Sequence, residues 1–355
     1  MSFLDWVSGS LSRIRMDGIR GGYQSAHELY LGGLRRFARL TYYDPEYIWE
    51  RDWDLLIVLD ACRYDLMEEV VDDYPYIMDC DSFVSVASST TGWSESNFDE
   101  RFSSQLASAA YVTGNPNSVR IAPHEFSEVC SCGQTVEPSY DDIYHTGKYQ
   151  CDQCGTVLEG TRTHPFGRLE EVWRTDWDEE FGTITPDPIT QRAITVARTG
   201  EFDRLIVHYN QPHYPFISES IGVGTNPAER HRKSTGRNVW DRLREGDVDS
   251  NRVWSAYREN LCYVLDRLPD LLENVDSDQP IITADHGNAL GEHGLYGHPR
   301  ATTPIAALVK VPWCQTTATD ERTIKTNKDE EASNIEDDTA NTDVQQRLRD
   351  LGYKT

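Results

Sequence analysis

The sequence predicts an α/β fold with a mostly parallel central sheet and helices on both faces. The chain has 355 residues, enough for one large domain or two smaller ones. From Trp53 to about Val311, short apolar runs alternate with helical or loop segments, which is typical of parallel strands joined by crossovers. Three of these runs are followed at once by polar residues, as at the active sites of open α/β sheets.

Four apolar runs are the best strand candidates, because a continuous apolar run suits a strand that is buried on both faces of a sheet. They are residues 55–59, 205–207, 281–284 and 305–309. Asp60 follows the first run, His208 the second, and Asp285 and His286 the third. The carboxyl ends of parallel strands meet at one edge of a sheet, so we expect these side chains to lie together.

Composition argues against nucleic-acid binding through a broad basic face. The chain has 59 acidic and 34 basic residues, a formal charge of −25, and 28 Arg against only 6 Lys. Its apolar content of 38% is enough for a core, so we expect the negative charge on a solvated surface. This acidic, lysine-poor composition resembles that of proteins adapted to near-saturating salt, and we expect a halophilic protein.

The expected location is cytoplasmic. No segment approaches the roughly 20 apolar residues that a membrane-spanning helix needs. The N-terminus also lacks the apolar segment and cleavage site of a secretory signal. Eight cysteines agree with this location if four share a metal, and we expect the others to stay reduced: Cys62, Cys80, Cys262 and Cys314.

The two ends of the chain differ from its middle. Residues 1–50 are predicted to form a helical segment, whose first 40 residues hold six arginines against three acids. Two interpretations stay open: a helix that rests on an anionic membrane surface, and a helix packed on the main domain with solvated or ion-paired arginines. Residues 315–342 hold eight acids and three bases and predict a flexible acidic segment, followed by a closing helix at 343–355.

Three sequence segments together predict a metal site with a hydroxyl beside it. They contain Asp60, the cluster Ser88-Ser89-Thr90-Thr91, and the Asp285-His286 pair with His298 downstream. Carboxylates and imidazole suit Zn²⁺, Mn²⁺, Mg²⁺ or Ca²⁺, and a coordinated hydroxyl becomes a better nucleophile. An Asp after a strand can also cap a helix, but joint occurrence at three strand ends favours the metal site.

These segments carry a resemblance to a known family. LDACRYD, the hydroxyl cluster, HYNQPHYPF and TADHGNALGEHG occur in the order seen in the alkaline phosphatase superfamily, and resemble its sulfatase-like branch. The likeness spans about residues 52–312 and implies an alkaline phosphatase-like catalytic domain at 51–314. It implies that a divalent metal is bound by Asp60, Asp285 and His286, with a nucleophilic side chain completing the sphere, and that substrate is contacted by Arg63, His208 and His213.

The nucleophile decides the reaction class. Sulfatases proper, as a family, use a formylglycine made from Cys or Ser in a C/S-x-P/A-x-R context, which no candidate here has. A plain Thr resembles instead the phosphodiesterases and the phosphoglycerol or phosphoethanolamine transferases of the superfamily, which pass through a phosphothreonine. We favour Thr90, because Thr90 and Trp93 form a T-x-x-W pattern similar to that of sulfatase-like relatives. Thr91 stays open as the alternative, and whichever is not the nucleophile is expected to donate a hydrogen bond near the substrate.

The number of active-site ions stays open. Two-metal members share an Asp-x3-His motif, whereas the matching segment here has His208 and His213 without an Asp, which favours one ion. His298 lies where relatives place a late ligand, so a second ion shared by His213 and His298 remains a hypothesis. Otherwise these imidazoles would stabilise the transferring oxyanion or protonate the leaving oxygen, and His208 and His213 would then be catalytic.

Four other cysteines predict a second metal centre. Two pairs, each followed by a glycine, are separated by eighteen residues: Cys130 with Cys132, and Cys151 with Cys154. Four thiolates suit a closed tetrahedral Zn²⁺ site, and the spacing resembles a zinc ribbon whose first pair is C-x-C. The alternative is two disulfides or free thiols. Because Lys148 is the only base between the pairs, we expect a structural insertion at 125–160 that flanks the active-site mouth.

The sequence therefore predicts a sulfatase-like, metal-dependent hydrolase or phosphotransferase that acts on a phosphoester through a phosphothreonine. The resemblance is compatible with nucleotides, sugar phosphates or lipid-linked glycan precursors as substrates, the last with peripheral contact at the inner membrane face. One alternative is a sulfuric ester hydrolase acting on a glycan or a small ester. Another is a non-catalytic binding module that uses the zinc ribbon.

Overall fold

Seven strands form the central sheet in a computed structural model that describes residues 3–41, 43–140, 142–217, 238–299 and 301–325. The sheet order is β2-β13-β10-β1-β9-β3-β8, and the smaller strands pair as β4–β7, β5–β6 and β11–β12. The strands, numbered along the chain, are β1 Leu55–Leu59, β2 Asp79–Val84, β3 Ala109–Thr113, β4 His124–Glu125, β5 Lys148–Gln150, β6 Val157–Glu159, β7 Thr161–Arg162, β8 Arg168–Glu171, β9 Arg204–Tyr209, β10 Pro280–Thr283, β11 Ala289–Leu290, β12 Tyr296–Gly297 and β13 Lys310–Gln315.

The α-helices of the described residues connect and cover these strands. The helix at 186–197 packs on β3 and β9. The long helix at 250–265 contributes an apolar face to the core. The helices, numbered along the chain, are α1 Phe3–Thr41, α2 Tyr64–Glu68, α3 Thr90–Asn97, α4 Ser103–Ala107, α5 Pro186–Ala197, α6 Val239–Glu245, α7 Ser250–Leu265, α8 Leu268–Leu272 and α9 Ala306–Val309.

The predicted fold class is confirmed: the sheet is mixed but mostly parallel, and helices pack against it. Strands β10, β1, β9, β3 and β8 run parallel, while β13 and β2 add an antiparallel edge. Every residue of β1 and of β3 is buried, which explains why β1 is continuously apolar and why β3 is apolar up to Thr113.

Strand register brings the polar residues to one edge of the sheet. Val58 pairs with Thr283 on one side of β1 and with His208 on the other. On the next strand, Thr113 also pairs with His208. The chain segments that leave β1, β3, β9 and β10 therefore emerge side by side, as expected for parallel strands.

One predicted strand is wrong. Residues 306–309 form the short helix α9, and the strand is β13, which begins only at Lys310. A short apolar run does not by itself distinguish a buried strand from a buried helical turn. The pair Ala306-Ala307 favours the helical turn, and Ala307, Leu308 and Val309 are buried in it as they would be in a strand.

The expectation that Cys80 and Cys314 stay reduced is also wrong. These two residues face each other across β2 and β13, with their Cα atoms 3.9 Å apart, and form a disulfide. They are 234 residues apart in the chain, and only the strand register makes them neighbours. Cys62 and Cys262 are free thiols, as expected.

The N-terminal segment is a long helix, α1, with a sharp bend at Gly18, where the backbone adopts φ 56° and ψ −128°. Glycine is suited to this bend because a side chain disfavours positive φ. Among the described residues no helix combines the length and the apolar character needed to cross a bilayer. Of the predicted acidic segment 315–342, only the part up to residue 325 is described, and the predicted helix at 343–355 lies outside the described residues.

An ion-pair network around the buried carboxylate of Glu171 closes the end of β8. Glu171 pairs with Arg162 and, at 2.7 Å, with Arg174, and it accepts a hydrogen bond of 2.6 Å from the Ser118 hydroxyl. Burial alone would raise the pKa of Glu171, but the two guanidinium groups outweigh it and lower the pKa to about 2.

We predict that Glu171→Gln lowers the free energy of unfolding at neutral pH by roughly 3 kcal/mol, because it leaves two arginines without their carboxylate. The folded-state pKa lies below the ordinary value of 4.5, so the stabilisation is complete above that pH and is lost as the pH falls towards 2. Denaturant unfolding of both proteins across this range measures the difference, with the exposed Glu179→Gln as control. A difference that stays constant with pH would contradict this account.

Candidate active site and second metal centre

The base of the site consists of residues that follow β1 and β10. Asp60 directly follows β1, and Asp285 and His286 follow β10 after one alanine. Ala61 adopts a positive φ of 62°, and its backbone N–H donates to Oδ1 of Asp285 at 2.9 Å. The two chain segments are therefore tied together, with both carboxylates and the imidazole almost completely buried.

Asp60, Asp285 and His286 form a ligand set that fits a metal ion. One ligand atom from each lies within 4.8 Å of the other two. Nε2 of His286 lies 3.7 Å from Oδ1 of Asp60 and 3.5 Å from Oδ2 of Asp285. Nδ1 of His286 donates to the Gly287 carbonyl, so in the neutral ring the Nε2 lone pair faces the two carboxylates.

The electrostatics of this cluster also suit a cation. Oδ2 of Asp285 is buried and has no hydrogen-bond partner among the described residues. Burial alone would raise the pKa of Asp285, but His286, His208 and the Ala61 amide lower it, and the net shift is downward. A buried carboxylate oxygen without a donor is costly, and a bound divalent cation would offset that cost.

Thr90 places a hydroxyl beside this cluster. It is the first residue of α3, and the preceding Ser89 caps the helix by accepting a hydrogen bond from the Gly92 amide at 3.3 Å. Oγ1 of Thr90 lies 3.2 Å from Nε2 of His286. The helix start therefore fixes the hydroxyl next to the atom that faces both carboxylates.

The neighbouring Thr91 lies apart from this cluster. Its hydroxyl donates to Oδ1 of Asn117 at 3.3 Å, and the residue is partly exposed. The geometry thus separates the two threonines that the sequence left as alternatives, because successive residues of a helix point in different directions.

Three further histidines surround the cluster. Nε2 of His213 lies 3.1 Å from Nε2 of His298, and the His298 ring lies 4.5 Å from the His286 ring, centroid to centroid. Nε2 of His208 lies 3.9 Å from Oδ2 of Asp285. His298, predicted as a metal ligand, is not among the three residues whose ligand atoms converge, although its ring packs against one of them.

The hydrogen bonds of His213 determine which ring nitrogens of neutral His213 and neutral His298 carry the hydrogen. The Tyr214 carbonyl only accepts, so Nδ1 of His213 carries the hydrogen and donates to it at 2.5 Å. Nε2 of His213 must then accept from an Nε2–H of His298. Burial lowers the pKa of His208 and of His213 to about 4 and also lowers that of His298, so all three are neutral near pH 7.

Arg63, predicted to contact substrate, is engaged elsewhere. Its guanidinium pairs with Asp65 at 2.5 Å and with Glu292 at 2.7 Å, and donates to the Asn288 carbonyl at 3.0 Å. It also stacks over the ring of Trp254. Through these contacts Arg63 holds the loop after His286 against α2.

Sequence reasoning missed Asn115. This residue follows β3, and its amide Nδ2 donates to Oδ2 of Asp60 at 2.5 Å. Its Oδ1 accepts from the Asn117 backbone at 2.9 Å, which fixes the amide orientation. The available signal was its place at a strand end, since Asn115 comes two residues after β3, as Asp285 comes two residues after β10.

The four cysteines of the predicted ribbon lie together in the segment that contains β5 and β6. The Sγ atoms of Cys130 and Cys154 are 3.6 Å apart, and those of Cys132 and Cys151 are 3.7 Å apart. Sulfur atoms at the corners of a tetrahedral zinc site are separated by about 3.8 Å, given a Zn–S bond of about 2.3 Å. These distances exceed a disulfide bond, so the thiols are free and arranged to fit zinc.

The sequence has no matching protein-family model and no matching curated protein, whereas solved structures do match. One is the soluble domain of lipooligosaccharide phosphoethanolamine transferase A from Neisseria meningitidis, with 14% identity and a TM-score of 0.41 over 73% of this chain and 75% of that chain. Another is the periplasmic domain of phosphoethanolamine transferase EptC from Campylobacter jejuni, with 15% identity and a TM-score of 0.39 over 74% and 77%.

A 2-O GAG sulfatase also matches, with 13% identity and a TM-score of 0.34 over 75% of this chain and 64% of that chain. These transferases and sulfatases belong to the alkaline phosphatase superfamily, which the sequence motifs resemble.

The ribbon geometry predicts that purified protein carries zinc at the four cysteines. Cys151→Ser should remove about one equivalent of zinc, because structural zinc needs all four ligands. Elemental analysis of wild type and variant measures this, with the free thiol variant Cys262→Ser as control. Equal zinc content in wild type and Cys151→Ser would contradict a zinc site here.

Because Asn115 holds Asp60, we predict that Asn115→Ala binds the active-site metal with lower affinity. Groups that orient a ligand usually contribute roughly 10- to 100-fold to metal affinity. Metal titration of the apoprotein measures the change, with Asp285→Asn as the variant that loses a ligand and Thr91→Ala as control. Unchanged affinity in Asn115→Ala would show that the amide does not position Asp60.

Proposed function

We propose that this chain is a metal-dependent enzyme that cleaves or transfers a phosphoester group, with Thr90 as the nucleophile. The observation that carries the proposal is the position of the Thr90 hydroxyl, 3.2 Å from Nε2 of His286 and beside two buried carboxylates. Asp60, Asp285 and His286 would hold the cation. When bound, a divalent cation lowers the pKa of a nearby hydroxyl and offsets negative charge on a phosphoryl group.

The proposed reaction has two steps, and Thr90 takes part in both. Thr90, fixed at the start of α3, gives up its hydroxyl proton to solvent and forms a bond to phosphorus. The ester oxygen departs with the bonding electrons and takes up a proton, which gives a phosphothreonine and a free alcohol. In the second step water or an acceptor alcohol loses a proton and attacks that phosphorus, and the released Thr90 oxygen is protonated again.

The histidines are placed to handle the charge and protons of these steps. The Nε2–H of His298 donates to Nε2 of His213, and exchange of this bond for contacts with a substrate would supply one donor and one acceptor at the edge of the cluster. His208, held by the hydroxyl of Tyr111 at 2.8 Å, lies near Asp285. We assign these imidazoles to binding the phosphoryl oxygens and to moving the proton of the leaving oxygen.

Phosphoryl transfer is favoured over sulfuryl transfer by the nucleophile itself. A sulfatase nucleophile is expected to be a formylglycine, and the residue beside the cluster is a threonine with no sequence context for that modification. A non-catalytic role would not require three buried ligands and a hydroxyl in one cluster, since each buried charge costs stability.

The proposal predicts that Thr90→Ala loses phosphodiesterase activity on bis-nitrophenyl phosphate by on the order of 10⁴-fold or more. Thr91→Ala should change it by less than about tenfold, because only a hydrogen bond to Asn117 is lost. Mass spectrometry after brief exposure to substrate should find phosphate on Thr90 in wild type.

Parallel assays with nitrophenyl sulfate address the alternative reaction. Faster turnover of the sulfate ester would show a sulfatase instead. Retained activity in Thr90→Ala, together with its loss in Thr91→Ala, would assign the nucleophile to Thr91.

A further inference from the structure

The helix α1 is a bent helical unit, not a straight rod. Beyond the turn at Gly18, Gly21 lies so close to the backbone of Arg13 that a Cβ there would meet its carbonyl oxygen at 2.3 Å. Ser10 and Ser25 are buried on either side of the turn, and Arg13 forms an ion pair with Glu28. The two arms of α1, before and after the bend at Gly18, therefore pack against each other. The bend at 16–20 projects outward.

Exposed apolar side chains are concentrated on this unit. Nine of the thirteen large exposed hydrophobic residues of the described chain belong to α1. Ile19 at the bend is 95% exposed, and Met16 beside it is 75% exposed. Such a concentration marks an interaction surface, whereas isolated exposed apolar residues need no explanation. The nine are Leu11, Ile14, Met16, Ile19, Tyr23, Leu29, Tyr30, Phe37 and Leu40.

Arginines flank these apolar residues without acidic partners. Arg15 and Arg20 border the bend, and a pocket of about 380 Å³ farther along α1 is lined by Arg35, Arg36 and Arg39. Among the described residues none of these five forms an ion pair with a carboxylate. Burial lowers the pKa of Arg35, and repulsion from the like charge of Arg39 adds to this shift. An anion in the pocket would relieve that repulsion.

The second arm of α1 also contacts the loop that leads to His298. Nε2 of His27 lies 2.9 Å from the His293 carbonyl, and the Tyr30 hydroxyl lies 2.5 Å from Nδ1 of His293. Nε of Arg35 donates to the Thr303 hydroxyl at 3.0 Å. Whatever binds the exposed side of α1 is therefore held next to the loop that borders the candidate active site.

We propose that α1 docks on a lipid bilayer that carries anionic phospholipids and holds the active site at its surface. Apolar side chains at the bend would enter the interface, and the flanking arginines would contact lipid phosphates, as in interfacial amphipathic helices. A second copy of this chain fits less well, because two copies paired through α1 would bring the same arginines face to face. The substrate class that follows, a phosphoester on a lipid headgroup, rests on the proposed function, whereas docking does not.

The test is flotation of the full chain with vesicles of phosphatidylcholine alone or mixed with phosphatidylglycerol, across a range of salt. Binding should require phosphatidylglycerol at low salt. Arg36→Gln/Arg39→Gln should weaken it roughly 25-fold, about fivefold for each charge, and this effect should shrink as salt screens the charges. Ile19→Ser should weaken binding roughly tenfold at every salt concentration, because it removes apolar contact.

Matched controls lie outside α1. Arg322→Gln removes an exposed charge and Val157→Ser an exposed apolar side chain, and neither should change vesicle binding. Turnover of bis-nitrophenyl phosphate without vesicles should be equal in all four variants, so failure of the enzymatic proposal is seen separately from failure of docking. Equal binding to both vesicle types, or wild-type binding by both α1 variants, would overturn the inference. Self-association abolished by the α1 variants would assign the surface to a second copy instead.

Discussion

The candidate active site depends on two carboxylates that the sheet register forces together in the interior. Parallel pairing of β1 and β10 leaves Asp60 and Asp285 at adjacent strand ends, where water cannot solvate their charge. Backbone and amide donors from Ala61 and Asn115 offset only part of the cost of burying two like charges. A cation near Nε2 of His286 would offset the remainder, so the same geometry that makes the cluster costly makes it selective for metal.

The central strands could be predicted because each is buried on both faces, and burial alone dictates a continuous apolar run. This holds for β1, β9 and β10. It fails at 306–309, since a buried helical turn needs the same apolar residues and local pattern cannot separate the two. The local sequence pattern also could not predict the contact between Cys80 and Cys314, because that contact depends on the register of β2 and β13.

Within the site, the sequence indicated which residues are near the strand ends but not where each side chain points. Thr90 and Thr91 are chemically equal, and only the start of α3 turns one hydroxyl to His286 and the other to Asn117. Arg63 is adjacent to the metal ligands in the chain, yet Asp65 and Glu292 hold its guanidinium. Direction is set by hydrogen bonds between distant segments, which residue spacing does not reveal.

The loop between His286 and His298 is held from two sides, and neither side belongs to the metal cluster. Arg63 pairs with Glu292, while Tyr30 and His27 of α1 contact the adjacent His293. His293 adopts a positive φ of 53°, an uncommon conformation that surrounding contacts must hold in place. Because His298 lies only five residues farther along, contacts of α1 with this loop bear on where that imidazole meets His213 and His286. The helix α1 therefore contacts the loop that carries His298 to the polar edge of the candidate site.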